Sequence, residues 1–197
     1  AITYNNLPTM VMEYFPSTQL IHYLPSLTLQ QANMIVYQII NGLESIHSKH
    51  ILHNDIKPGN MIVNDSFQCK LCDFGTASDI SLISKMRQDW EVIGTPLYMS
   101  PEQLTPGVNL QYSSDIYSLG LVMYEIFTKQ HPFRTNNISE AELKNKQLTV
   151  MPINPCEINK DLSISLGQLI MKALNKDPKK RFQSIKELKT VFEQSID

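Results

Sequence analysis

His53-Asn54-Asp55-Ile56-Lys57-Pro58-Gly59-Asn60, followed by Asp73-Phe74-Gly75, is the stretch of this 197-residue chain on which its reading turns. Asp55, Lys57, Asn60 and Asp73 set two carboxylates, one ammonium and one amide within 19 residues, with a spacing of 18 between Asp55 and Asp73. The neighbouring segments Ile51-Leu52, Asn60 to Val63 and Lys70 to Cys72 are short and apolar and are divided by turn residues. They are expected to form small paired strands rather than a large sheet. Both polar motifs then lie on loops at strand ends, where a rigid scaffold presents functional groups. Asp-Phe-Gly alone also suits a turn or a helix cap. Its order and spacing after the first motif argue against coincidence.

Outward from this stretch, Thr9-Met10-Val11-Met12-Glu13-Tyr14-Phe15 reads as a buried strand stopped by Pro16. Residues 19–24 suit a short helix closed by Pro25. Thr28 and Gln31 form a capping-box pattern that opens a helix to about Ser48, with Met34, Ile35, Ile39, Leu43 and Ile46 on one stripe. Residues 75–112 are rich in Ser, Thr, Pro and Gly and are expected to be mostly loop, a length that usually signals function. After Asp115, the residues Ile116, Leu119, Val122, Met123 and Ile126 give a helix apolar nearly all round, expected to be central and buried. Ser139 caps a weaker helix over 140–147. Two amphipathic helices follow at 163–175 and 184–194, broken apart by Asp177-Pro178. The fold class expected is mainly α with a few short strands, in a single helical domain.

Composition narrows the function. The 42% apolar content suffices for a core, and 17 basic against 19 acidic residues give a net charge of −2. That balance offers no electrostatic case for a nucleic-acid or anionic-membrane partner. No apolar run reaches the length of a membrane span. Ala1-Ile2-Thr3-Tyr4 has neither a signal peptide's charged start nor a Met, and is read as a fragment or processed chain. Three cysteines argue against a disulfide framework and for a reducing, cytoplasmic setting. Cys69 and Cys72, three apart on an expected strand, face opposite sides and have no second pair to complete a metal site. His47, His50 and His53 straddle a helix end and are read as structural.

Phosphoryl transfer needs the set of groups at 53–75. A carboxylate orients the attacking hydroxyl, oxygen ligands hold Mg²⁺, and a cation meets the charge on the transferred group. The motifs resemble those of the eukaryotic-type Ser/Thr protein kinases. The catalytic-loop pattern fits 53–60, with Asn54 where Arg is usual, and Asp73-Phe74-Gly75 fits its partner. Ser100-Pro101-Glu102 resembles Ala-Pro-Glu, preceded by Gly94-Thr95-Pro96-Leu97-Tyr98-Met99. Asp115-Ile116-Tyr117-Ser118-Leu119-Gly120 resembles the start of the central helix of the family's lower lobe, and Asp177 to Phe182 the turn holding its late Arg. The likeness runs from about Thr9 to Phe192.

The resemblance implies a kinase C-terminal lobe at 19–197 and a hinge and upper-lobe remnant at 1–18. It implies ATP and Mg²⁺ as cofactors and a protein Ser/Thr hydroxyl as substrate. Asp55 would orient that hydroxyl, Lys57 would contact the transferring phosphate, and Asn60 and Asp73 would hold Mg²⁺. Thr95 would bridge to Asp55 and Lys57. Glu13 and Phe15 would bond adenine through the backbone, with Met12 beside it as gatekeeper and Ile62 beneath the ring. Glu102 and Arg181 would pair, and Asp115 would accept from catalytic-loop N–H groups. No Gly-rich loop, and no Lys of the family's Val-Ala-Ile-Lys type, precedes residue 9. The chain is therefore expected to need a missing N-terminal lobe or an activating partner. The alternative is an inactive, pseudokinase-like scaffold or half of a split kinase.

Asn54 is uncharged and cannot make the bidentate contact an Arg makes with a phosphorylated loop. Activity is expected not to depend on phosphate at Thr76, Ser78, Ser81 or Ser84. Phosphatase treatment of the active protein should leave its rate unchanged, and abolished activity would contradict this.

Overall fold

The computed structural model describes residues 2–4, 7–9, 11–81, 96–135 and 138–196. The fold is mainly α, with short strands. Helix α1 (Leu29–His47) starts at the capping box, where the Thr28 hydroxyl accepts from Gln31 N–H and the Gln31 side chain accepts from Thr28 N–H. Its inward face is Ala32, Ile35, Val36, Ile39, Ile40 and Leu43. Met34 departs from expectation and is exposed. The 3.6-residue period carries the stripe through 32, 35–36, 39–40 and 43, which turns position 34 outward.

Among the described residues, seven short strands accompany the helices. β1 (Ile2–Tyr4) and β2 (Leu7–Thr9) form an antiparallel hairpin. β3 (Thr18–Gln19), β5 (Met61–Val63) and β6 (Cys69–Leu71) form a second sheet, with Ile62 opposite both Gln19 and Lys70. β4 (Ile51–Leu52) pairs with β7 (Ser78–Asp79). The Gln38 side chain pins the β5–β6 hairpin to α1, donating to Phe67 C=O and accepting from Cys69 N–H, both at 2.9 Å.

The buried strand expected over Thr9 to Phe15 does not form. β2 ends at Thr9, and Val11, Met12 and Tyr14 are 74%, 76% and 85% exposed. An apolar run becomes a buried strand only where another strand pairs with it and a layer covers it. No described strand pairs with residues 11–15. The 3-10 turn Leu20–His22 occupies the short helix expected at 19–24.

Helix α2 (Tyr112–Thr128) is the centre of the molecule: every residue from Ser113 to Thr128 is buried. It packs against α1, α4 (Pro155–Ile158) and α5 (Ile164–Ala173). A Cβ on Gly120 would meet Ala173 Cβ at 3.0 Å, so glycine permits this close approach of α2 to α5. α3 (Glu140–Thr149) is capped by Ser139, and α6 (Ile185–Ile196) packs on α1 and α5. The described part of 75–112 is β7, turns and the 3-10 turn Pro96–Tyr98; Ser84 and Thr95 lie outside the described residues. No helix among the described residues is long and apolar enough to cross a membrane.

Two buried polar clusters tie the later helices to the Pro96–Glu102 segment. Arg181 is 2% exposed and grips Glu102 with two bonds of 2.7 and 2.9 Å, while also donating to the carbonyls of Ser113, Asn175 and Lys176. Burial pushes the Glu102 carboxyl up, but the hydrogen bonds and charge of Arg181 outweigh it and hold the pKa below its ordinary value. The contribution is present at neutral pH and lost as acid protonates the carboxylate. In the second cluster Lys176 Nζ lies 2.7 Å from the Tyr117 hydroxyl, which reaches Gln147 Oε1 at 2.8 Å. Gln147 Nε2 in turn donates to Leu97 C=O at 2.6 Å.

Arg181→Met should cost about 3–5 kcal/mol in urea unfolding, because it removes the cation from a buried carboxylate. Burial, aided by the charge of Arg181, lowers the Lys176 pKa to about 7. Between that value and the unfolded lysine value the unfolded chain holds the extra proton, so stability rises with pH. Lys176→Met should remove that rise, read as the pH dependence of Tm relative to the unsubstituted protein.

Candidate active site

The loop 53–60 is built on one carboxylate. Asp115, in the first turn of α2 and 1% exposed, accepts from His53 N–H and Asn54 N–H and meets His47 Nε2, each at 2.9 Å. Carboxylate hydrogen bonds of this kind are among the stronger ones, and here they fix two consecutive backbone N–H groups of the loop. The role expected of Asp115 is the arrangement found, and His47 is an added ligand.

The next residue, Asp55, turns its carboxylate into a small polar cluster. Lys57 Nζ lies 2.6 Å from Asp55 Oδ2, and Asn60 Nδ2 donates to the same oxygen at 2.7 Å and to Asp55 C=O at 3.0 Å. The 3-10 turn Pro58–Asn60 produces this convergence by folding Asn60 back over Asp55. Asn60 is 6% exposed, whereas the Asp55 and Lys57 side chains are partly open to solvent.

Several bonds hold the Asp73 loop against this cluster. Cys72 N–H donates to Asn60 C=O at 2.9 Å, and His53 Nε2 reaches Cys72 C=O at 3.2 Å. The Thr76 hydroxyl donates to His53 C=O at 3.2 Å, and the His53 and Phe74 rings lie 4.9 Å apart. Since a carbonyl can only accept, His53 carries its proton on Nε2. Asp73 itself is exposed and left-handed, with φ 62°, a conformation Asp tolerates better than most residues; its carboxylate accepts from Gly75 N–H.

Ile62 is half-buried in β5, beside this cluster. Met12 is exposed and Glu13 pairs with Lys70 at 2.7 Å. Lys70 also lies over the Phe15 ring, 4.6 Å from its centre. Glu13 and Phe15 therefore sit over the β5–β6 hairpin, on the same side as Ile62. Asp55, Lys57 and Asn60 come together directly, and the Asp73 loop is bonded to them. Met12 stands exposed, and Thr95 lies outside the described residues. Thr76, Gln103 and the hydrogen-bonding role of Asn54 were not anticipated. Their only sequence signal is position: Thr76 follows Asp73-Phe74-Gly75, and Gln103 follows Ser100-Pro101-Glu102.

The protein kinase domain model matches residues 2–192. The chain belongs to the protein kinase domain family. Its relatives include serine/threonine-protein kinase PknB of Mycobacterium leprae, 35% identical over 186 residues, which are 93% of this chain and 29% of that protein. A probable serine/threonine-protein kinase of Clostridium perfringens is 35% identical over 94% of this chain and 27% of its own length. PknB of Mycobacterium tuberculosis H37Rv is 33% identical over 93% and 29%. The chain thus spans less than a third of the length of these curated relatives.

Proposed function

We propose that this chain is the catalytic-loop-bearing lobe of a Ser/Thr protein kinase, which transfers the terminal phosphoryl group of Mg-ATP to a protein Ser or Thr hydroxyl. The observation that carries the proposal is the cluster in which Asp55 Oδ2 meets Lys57 Nζ at 2.6 Å and Asn60 Nδ2 at 2.7 Å. Such a carboxylate is held in one orientation and partly exposed, as a group that receives a hydroxyl proton must be. Lys57 is placed to follow the charge on the incoming phosphate. The relatives, named as serine/threonine-protein kinases, support the Ser/Thr class.

The donor set suits a hard divalent cation. Asn60 spends its amide nitrogen on Asp55, which leaves its side-chain oxygen for a metal, and Asp73 offers a carboxylate with one backbone N–H donor at 3.3 Å. Oxygen-only ligands of this type favour Mg²⁺. Asn60 and Asp73 would hold it, and Mg²⁺ would supply charge neutralisation on the phosphate oxygens. Ile62, the backbone of Glu13 and Phe15, and Met12 would receive adenine, and Thr95 would bridge to Asp55 and Lys57. A cytoplasmic setting agrees with the three free thiols, Cys69, Cys72 and Cys156.

A native-state ligand raises stability by about 2.7 kcal/mol at a hundredfold excess over its Kd. Mg-ATP should therefore raise the Tm, and Asp73→Asn, which tolerates the left-handed backbone and removes the charge, should reduce the rise while leaving the ligand-free Tm near its starting value. Asp55→Asn, in protein expressed from the whole coding sequence, should lower phosphoryl transfer by roughly 10²–10⁴-fold with the fold intact. Full turnover in Asp55→Asn would refute the assignment.

A further inference from the structure

Asn54 spends its polar groups on four different segments. Its N–H donates to Asp115 Oδ1 at 2.9 Å, and its carbonyl accepts from Gln103 Nε2 at 2.7 Å. Its side-chain Nδ2 donates to Thr76 C=O at 2.9 Å and to Ser78 Oγ at 2.7 Å. Gln103 is itself fixed, because its Oε1 accepts from Ser100 N–H and the Ser100 hydroxyl. One residue therefore joins the start of α2, the segment after Asp73, β7 and the turn that carries Glu102.

The location is as telling as the count of bonds. Asn54 precedes Asp55, and Thr76 lies three residues past Asp73. The side chain thus ties the loop of Asp55 to the segment that follows Asp73. With φ at 65° the backbone is left-handed, which Asn tolerates and most residues do not. The amide orientation is decided by chemistry: turned over, its oxygen would face the Thr76 carbonyl, acceptor against acceptor. The cost of the orientation found is a buried Oδ1 without a partner. No charge enters the side-chain bonds to Thr76 and Ser78, and no phosphate is needed to complete them.

We propose that Asn54 is a positioning residue, whose side-chain amide sets the Asp73 loop relative to Asp55 through Thr76 and Ser78. This rests on the reading of Asp55 and Asp73 as the working carboxylates. A turn former alone would need only the left-handed backbone, which glycine supplies as well. Asn54→Gly therefore removes the amide and keeps the turn. Asn54→Asp keeps the shape but sets a carboxylate oxygen against the Thr76 carbonyl.

The first test requires no turnover. Hydrogen exchange on this chain should be about tenfold faster in Asn54→Gly at the Ala77 and Ile80 amides, which donate to Phe74 and His50 carbonyls, with α2 amides unchanged. Unchanged exchange at those two amides would overturn the proposal. The second test uses protein expressed from the whole coding sequence. Asn54→Gly should lower kcat about tenfold and raise the Mg²⁺ concentration giving half-maximal rate, and Asn54→Asp should do so further. A variant that merely loses folded molecules would lower kcat and leave the Mg²⁺ requirement alone, which would also overturn it. If exchange responds but the unsubstituted protein transfers no phosphate, the kinase reading fails and the loop-setting role of Asn54 stands.

Discussion

The loop over residues 53–60 hangs on the Asp115 carboxylate. A charge 1% exposed in a helical core is tolerated only where donors surround it. Here His47, His53 and Asn54 supply them, one from the end of α1 and two from the loop. The requirement runs both ways. The carboxylate needs those backbone N–H groups, and the loop needs a fixed acceptor, because it has no long sheet to hold it. Asp115 also lies in the first turn of α2, where the helix dipole favours negative charge. A burial that would be prohibitive alone thus becomes the point at which α1, α2 and the loop are brought to one place.

Around that anchor the charged and neutral contacts are divided by task. The charged pair Asp55–Lys57 is partly open to solvent, where its strength is modest. The Glu102–Arg181 pair is buried and bidentate, and holds segments that must not move. Between them the joints of the site are mostly uncharged: a histidine ring to the Cys72 carbonyl, a threonine hydroxyl to the His53 carbonyl, an asparagine amide to Thr76 and Ser78. Neutral bonds depend less on salt than surface charge pairs do, so this inner frame is suited to stay constant while the exposed charges respond.

The sequence made some of this legible and hid the rest for physical reasons. Thr28 and Gln31 announce the start of α1 because a capping box is local, and the apolar run after Asp115 announces a buried helix because it has no polar face. Asp55, Asn60 and Asp73 could be found by pattern, since their spacing is fixed by a short hairpin between them. The partners of Asp115 lie 61 to 68 residues away, beyond the reach of any periodicity, and only resemblance to a family pointed to them. Thr9 to Phe15 was misread because hydrophobicity describes a residue's preference, whereas burial also needs a neighbour. Asn54 was read as the loss of a charge. Its gain, two side-chain bonds to residues 22 and 24 positions later, is visible only in three dimensions.

The burial of α2 on every side has a consequence for how the molecule comes apart. A helix with one polar face can lose its neighbours and remain compatible with water; α2 has no such face from Ser113 to Thr128. Withdrawing α1 or α5 uncovers a different apolar side of the same rod. Loss of either neighbour therefore exposes apolar surface on α2, which favours melting of these helices in one cooperative step. The helix that bears Asp115 thus also couples the helices packed around it.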